Sequence, residues 1–172
     1  PFPRVLNKGL SFIASLEGQD AFGRESGIAV LQVPRSLPRL LRVPVELAQG
    51  PNDFIPLSAI VDEHMADLFP GMKVTGCFPF RITRDSDIEL LEQESDDMLR
   101  LIEERLKARQ RGDAVRLEVG TGANEVLVRK IIEEESLRDA AESAAEKYSE
   151  VYRIAGPLDL TGLMELAEVP NR

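Results

Sequence analysis

The chain has no tryptophan, a single histidine, a single cysteine and only 5% aromatic residues in its 172 positions. Each shortage excludes something. With 43% hydrophobic residues there is material for a core, which must be aliphatic because aromatics are scarce; a chain of this size hides roughly two-thirds of its unfolded surface. A lone Cys77 precludes any disulfide within the chain and fits a reducing, cytoplasmic compartment. A lone His64 without cysteine partners makes a poor zinc site, since zinc takes three or four His or Cys ligands. No apolar run approaches the ~20 residues that a membrane helix needs. The opening Pro1-Phe2-Pro3 has no methionine, basic stretch or cleavage site. It therefore does not read as a signal peptide, and it suggests a cut inside a longer gene product.

Positive charge is also short. The net charge is −9, unevenly spread: residues 1–50 hold six basic and four acidic side chains, and the remainder holds 15 and 26. An acidic surface of this kind repels polyanions, whose binding depends on clustered Lys and Arg. Nucleic acid is excluded as a partner on this ground, and broad polyphosphate binding by the exposed helical faces is disfavoured.

What is present reads as strands followed by helix–strand units. Leu10, Phe12, Ala14 and Leu16 alternate with Ser11, Ile13 and Ser15, and Ile28 to Val33 form a second apolar run. Leu40 to Val45 suggests a short edge strand, because prolines crowd it. After the turn at Gly50-Pro51-Asn52-Asp53 comes a short strand at Phe54 to Leu57. The period then turns helical, with Ser58 as N-cap and Ile60, Val61, His64, Met65, Leu68 and Phe69 on one stripe. In the next strand Met72, Val74, Phe78, Phe80 and Ile82 face one way, and Lys73, Thr75, Cys77, Pro79, Arg81 and Thr83 the other. Gly76 and Pro79 suggest a bulge or an exposed edge. Ser86 and Glu89 form a capping box that opens a long amphipathic helix over 86–109. Val115 to Val119 reads as a strand, Ala123 to Glu135 as a helix and Ser136 to Tyr148 as an acidic helix. Val151 to Ile154 makes a last strand, and Asp159 or Thr161 caps a short final helix. The expected fold is one α+β domain over 1–172, with a mixed, largely antiparallel sheet and helices packed mainly on one face.

Candidates for chemistry are few. His64 would serve as a phosphate acceptor or general base, but its periodicity places it equally well at the edge of a buried stripe. Gly120-Thr121-Gly122-Ala123-Asn124 lies between strand and helix as a phosphate-binding turn does, yet Glu125 stands where a third glycine is needed. A glycine-rich lead into the helix is the better account. Arg35, Arg39 and Arg42 read as scattered solvated arginines, with a polyanion contact as the sharper option. The acidic runs, Glu133-Glu134-Glu135 among them, read as solvated helix faces rather than a magnesium site. Cys77 falls on the polar side of its strand as a structural thiol. No residue is assigned as catalytic, cofactor-binding or metal-ligating. Arg81, Arg84 and Asp85, where a strand gives way to a helix, organise either their own turn or an interdomain or intersubunit contact.

Several segments, in order, resemble the middle (head) domain of polyphosphate kinases. They are Pro1-Phe2-Pro3 with the strand around Leu10 to Leu16; Phe54-Ile55-Pro56-Leu57 and Leu68-Phe69-Pro70-Gly71; and Phe80-Arg81-Ile82-Thr83-Arg84-Asp85 with its acidic helix. Ala114-Val115-Arg116-Leu117-Glu118, Val151-Tyr152-Arg153-Ile154 and Gly156-Pro157-Leu158-Asp159-Leu160-Thr161-Gly162-Leu163 complete the set. The resemblance implies a parent enzyme that moves the terminal phosphate of ATP reversibly onto polyphosphate, with magnesium and through a phosphohistidine. It also implies that the catalytic histidines, arginines and metal site belong to other domains, and that His64 is not the phosphorylated residue. The head domain is then a scaffold that contributes to dimerisation and the tunnel region and has no cofactor of its own. Its partners would be the other domains of the same chain, a second subunit and, for the parent, polyphosphate. Such a parent is cytoplasmic, with a peripheral association with the membrane as an option. The rival readings are a stand-alone polyanion- or protein-binding module, for which residues 1–50 offer the contact, and a small enzyme built on His64.

Overall fold

The computed structural model describes residues 2–19, 23, 27–85, 112–137 and 150–168. The capping box at Ser86, the helix over 86–109 and the acidic stretch from residue 138 to 149 lie outside the described residues. The central element is a five-stranded sheet in the order β2-β1-β5-β6-β7, made of β1 (Leu10–Gly18), β2 (Ile28–Gln32), β5 (Met72–Arg84), β6 (Ala114–Gly120) and β7 (Glu150–Ile154). Its ladders are antiparallel except between β6 and β7, which run parallel. This is the mixed, largely antiparallel α+β architecture expected from the sequence. The remaining strands, β3 (Leu40–Arg42) and β4 (Phe54–Pro56), pair only with each other. The proline-crowded run therefore stays outside the main sheet, and its strand stops at Arg42 rather than Val45.

The sheet is buried on both faces, because each face carries an alternating apolar set. On one face Ile13, Phe80, Ile82, Leu117 and Val119 pack against Leu127, Val128 and Ile131 of α2 (Glu125–Glu134), with Val5 of the N-terminal arm. On the other, Leu10, Phe12, Ala14 and Leu16 meet Leu57 of α1 (Leu57–Glu63), Met65 of a 3-10 turn (Met65–Leu68), Val33 and Leu158. α2 begins where Asn124 caps it, its Oδ1 accepting the Leu127 N–H at 2.9 Å, two residues later than the apolar pattern alone suggests.

β5 departs from simple alternation. Its register against β1 shifts between Ser15 and Leu16: Ser15 pairs with Gly76 and Leu16 with Val74, so Thr75 is the extra residue of a bulge. One inserted residue exchanges the faces of everything before it. Met72 and Val74 consequently join Cys77 over the α1 side, while Phe78, Phe80 and Ile82 line the α2 side. The expectation that all five share one face is thereby corrected, and so is the placing of Cys77 on a polar side. The bulge was foreseen at Gly76; the exposed edge was not realised, since β5 is the central strand. Pro79 is tolerated there because the β6 ladder begins only at Phe80, one position beyond it.

The helix after β4 also differs from its pattern. Its N-cap position is Pro56, with no side-chain cap, rather than Ser58. Leu57 is drawn into the core, and its N–H donates to the Arg39 carbonyl at 2.9 Å. The coil tightens into 3-10 geometry after His64. This turns Leu68 outward, although the α-helical spacing had placed it on the buried stripe. Among the described residues no helix is long and apolar enough to cross a membrane.

Phe80 is completely buried at the centre of this arrangement and Val126 is largely exposed on α2. Replacing Phe80 with Ala should cost about 3–5 kcal/mol of unfolding free energy in urea titration. Val126→Ala should stay within about 0.5 kcal/mol of the parent sequence.

Candidate functional site

Of the three residues singled out at the end of β5, Arg84 lies deepest: its side chain is 4% exposed. Nε and Nη2 donate to the Val5 carbonyl at 3.3 and 3.0 Å, and Nη1 donates to the Gly112 carbonyl at 3.2 Å. Nη2 also pairs with Oε2 of Glu135, whose other oxygen accepts the Val5 N–H at 3.3 Å. The Arg84 backbone N–H donates to Oδ1 of Asn7 at 2.9 Å. One guanidinium therefore joins the N-terminal arm, the approach to β6 and the C-terminal end of α2. A polar hollow of about 270 Å³, lined by Phe2, Arg4, Asp113, Glu134 and Glu135, opens beside it. Glu135 is the partner that sequence reasoning missed, since it ends an acidic run that had been assigned to solvent. The usable signal was its spacing of four from the buried Ile131, which keeps it on the inward row of α2.

Asp85 donates its backbone N–H to the Asp113 carbonyl at 2.8 Å, closing the end of the β5–β6 pair. Arg81 takes part in a different group, on the opposite face of the sheet. Its Nη1 donates to the Leu158 carbonyl at 3.1 Å and stands 3.6 Å from Oε2 of Glu118. Oε1 of Glu118 is 3.5 Å from Nε of Arg116, and that guanidinium lies 4.3 Å above the Tyr152 ring. The structure thus separates Arg81 from Arg84 and Asp85 instead of gathering the three at one point.

The other candidates resolve individually. His64 stands on the surface, its ring 65% exposed, with Nδ1 2.9 Å from Oδ2 of Asp67. It is not at the edge of a buried stripe, because the tightening of the coil at residue 64 carries it away from the core. In the Gly120–Gly122 turn, close packing bears on Gly120, while Gly122 has room for a side chain in ordinary contact. A Cβ on Gly120 would sit 3.3 Å from the Pro79 ring, and one on Gly122 would sit 3.4 Å from the Phe78 ring. Arg35 and Arg42 stand exposed and apart, as scattered solvated arginines would, Arg35 donating to the Asn7 carbonyl and Arg42 to that of Pro51, whereas Arg39 is half-buried and donates to the carbonyls of Pro34 and Leu37. Cys77 has its thiol pushed up to about 12 by burial and by the hydrogen bond and negative charge of Asp62, so it stays a thiol rather than a thiolate. Among the described residues no three His, Cys, Asp or Glu side chains converge as metal ligands would.

A further pair escaped the sequence reading. Nε of Arg39 meets Oδ2 of Asp159 at 2.7 Å with both side chains largely buried. Oδ1 of Asp159 accepts from the Thr161 hydroxyl at 2.6 Å and from its N–H at 3.4 Å. Burial raises the Asp159 carboxyl, but the hydrogen bonds from Thr161 and Arg39 and the Arg39 charge outweigh it and hold the net value below the ordinary 3.8.

These geometries set two expectations. Arg84→Met should destabilise the fold by about 3–5 kcal/mol, since it leaves the Glu135 carboxylate buried and unpaired. The double variant Arg84→Met/Glu135→Leu should recover part of that loss in the same urea titration. Because the folded value of Asp159 is depressed, its contribution is complete above pH 3.8 and is lost as pH falls through the folded value. Asp159→Asn should therefore melt below the parent sequence at neutral pH, and the gap in Tm should narrow in acid below 3.8.

Comparison with known proteins agrees with this architecture. The polyphosphate kinase middle domain matches residues 1–166. A polyphosphate kinase of Pseudomonas putida is 43% identical over 166 residues, covering 96% of this chain and 22% of that protein. Those of Paraburkholderia phytofirmans and Neisseria gonorrhoeae are each 41% identical over all 172 residues, which make up 24% of their length. The chain thus spans about a quarter of these curated relatives. A crystal structure of the polyphosphate kinase from Porphyromonas gingivalis superposes with a TM-score of 0.61 at 19% identity, covering 99% of this chain and 21% of that one. That likeness supports the same fold. With its middle-domain match running from residue 1 to residue 166, the chain belongs to the polyphosphate kinase family.

Proposed function

We propose that the chain is a single non-catalytic middle domain of a polyphosphate kinase. Its work there is to hold the other domains of the parent chain and to join two subunits. The parent moves the terminal phosphate of ATP reversibly to polyphosphate through a phosphohistidine, and the histidine, magnesium and ATP sites belong to its other domains. The observation that carries this reading is how the arginines are used. Arg35, Arg39, Arg42 and Arg84, the side chains suited to a polyanion, all donate to backbone carbonyls of the chain itself. They brace loops rather than converge on a phosphate. His64, the only imidazole, stands on the surface with the Asp67 carboxylate beside it.

The test has two parts. The chain alone should form no polyphosphate from ATP and magnesium, and titration with polyphosphate at low and physiological salt should give no saturable binding. In the parent enzyme, removal of residues 1–172 should abolish the dimer seen by sedimentation, and excess isolated chain should compete for the subunit contact of the intact parent. A deleted parent that still dimerises, together with an isolated chain that does not compete, would overturn the scaffold reading. Tight, salt-dependent polyphosphate binding by the chain would favour a polyanion-binding module instead.

A further inference from the structure

β2 (Ile28–Gln32) closes one side of the five-stranded sheet. Its inner bonding fixes which way each residue turns. Leu16 donates its N–H to the Gly27 carbonyl, and Val33 donates its own to the Leu10 carbonyl, both at 3.0 Å. In an antiparallel ladder the residues that exchange such bonds alternate, so Gly27, Ala29, Leu31 and Val33 address β1. Ile28, Val30 and Gln32 turn their N–H and C=O groups away from it. Among the described residues β2 has no second neighbouring strand, so these three positions present an open row of donors and acceptors.

Such a row is a template for pairing with another strand, and proteins guard exposed edges with lysine, proline, a bulge or a charge. The other strand margins of this fold are guarded or short. β7 carries Glu150 and Arg153, and the Arg116 guanidinium lies over its Tyr152 ring. β3 and β4 have three residues each, with Arg42 in one and Pro56 in the other. β2, by contrast, reads Ile-Ala-Val-Leu-Gln, without charge or proline. Ile28 and Val30 pack against the first core and Ala29 and Leu31 against the second, yet all of its residues stay only half-buried. Apolar on both faces and unguarded along its edge, β2 has the make-up of an inner strand at an outer position.

We propose that β2 pairs antiparallel with β2 of a second copy of this chain, centred on Val30, so that two five-stranded sheets become one continuous sheet. The inference rests on the proposed subunit-joining role and names the surface that performs it. Register and charge select the second copy as occupant. An isologous contact needs a self-complementary surface, and a strand edge laid antiparallel on itself is one. With Val30 opposite Val30 of the second copy, Ile28 stands opposite its Gln32, and every outward N–H and C=O of both strands finds a partner. Pro34, the next outward position, has no N–H to give and ends the ladder. The two-fold axis then stands perpendicular to the sheet, so the half-covered Ile28 and Val30 of both copies meet on the α2 side. Charge favours the same place. β2 lies within residues 1–50, which hold six basic and four acidic side chains, whereas the remainder holds 15 and 26. Two copies of a chain of charge −9 repel each other least when they meet here. A ladder this short is small beside the ~1,200–2,000 Å² of a stable interface, so it sets the register of a larger contact and is best read in the parent enzyme.

The test is made on the parent enzyme. Val30→Lys sets like charges directly opposite each other across the seam. Val30→Pro removes the outward N–H while sparing the bonds of Ala29 and Leu31 to β1. Each should raise the dissociation constant of the dimer, followed by sedimentation, about tenfold or more. Val151→Lys, on the opposite edge of the sheet, should leave it unchanged. A photo-crosslinking residue, Val30→p-benzoylphenylalanine, reads the seam without relying on either substitution, and should capture residues 28–32 of a second subunit. A dimer that neither Val30 substitution weakens overturns the proposal. So does capture of any other segment, because the occupant is then not β2 of a second copy. Sedimentation of the parent lacking residues 1–172 keeps the two readings apart. Where that deletion abolishes the dimer but both Val30 substitutions leave it intact, only the β2 seam falls. A deleted parent that still dimerises removes the subunit-joining role, and the seam with it.

Discussion

A guanidinium that cannot reach water must find acceptors inside the protein, and this condition at Arg84 governs how the pieces of the fold meet. Removing a charged group from water costs several kcal/mol unless its donors are matched by well-placed acceptors. Here the acceptors come from three places remote in sequence: Val5 in the N-terminal arm, Gly112 before β6 and Glu135 at the end of α2. Apolar packing reinforces the end of α2, where Ile131 and Leu137 lie in the same core as Ile82 and Ala114, but reaches the N-terminal arm only thinly. The N-terminal arm in particular contributes only Val5 to the buried core, with Phe2 packed at its edge. One side chain thus ties the arm, the approach to β6 and the final turn of α2 together, beside the Lys8 N–H to Ile82 carbonyl bond and the Asp85 N–H to Asp113 carbonyl bond that hold the arm and the β5–β6 pair.

The same use of arginine recurs. Arg39 fixes the β3 segment to Asp159, and Arg153 joins β7 to the start of α2 through the Ala123 carbonyl and Glu125. Arginine suits this task because its planar fork presents several donors in fixed directions and its charge survives burial. In a chain with a formal charge of −9, arginines committed to internal carbonyls and carboxylates cannot also form a positive surface. The electrostatics and the packing thus turn these arginines towards the chain's own loops and strands.

How far the sequence reveals this depends on range. β6 was readable because Leu117 and Val119 face α2 while Arg116 and Glu118 face away, and α2 because Leu127, Val128 and Ile131 repeat at helical spacing. Both patterns are local. The faces of β5 were misread because the residue that exchanges them, Thr75, looks like any other alternating position, and only its pairing with β1 exposes the insertion. His64 and Leu68 were misread because the helix continues in pattern but tightens in geometry after Glu63. Arg84 was marked as unusual from its place at a strand end. Its meaning was hidden because its partners lie 79 and 51 residues away. Glu135 was hidden by its acidic neighbours, which do face solvent.

Burial on both faces of the central sheet has a consequence for where a larger enzyme can make contact. α1 and its 3-10 turn occupy one face and α2 the other, so the inner strands β1 and β5 are closed off. What remains is the perimeter: the outer strands β2 and β7, the β3–β4 pair and the 160–168 stretch. The Arg116–Tyr152 contact covers part of β6 and β7 with a charge, and a desolvated charge is a costly surface to dock on.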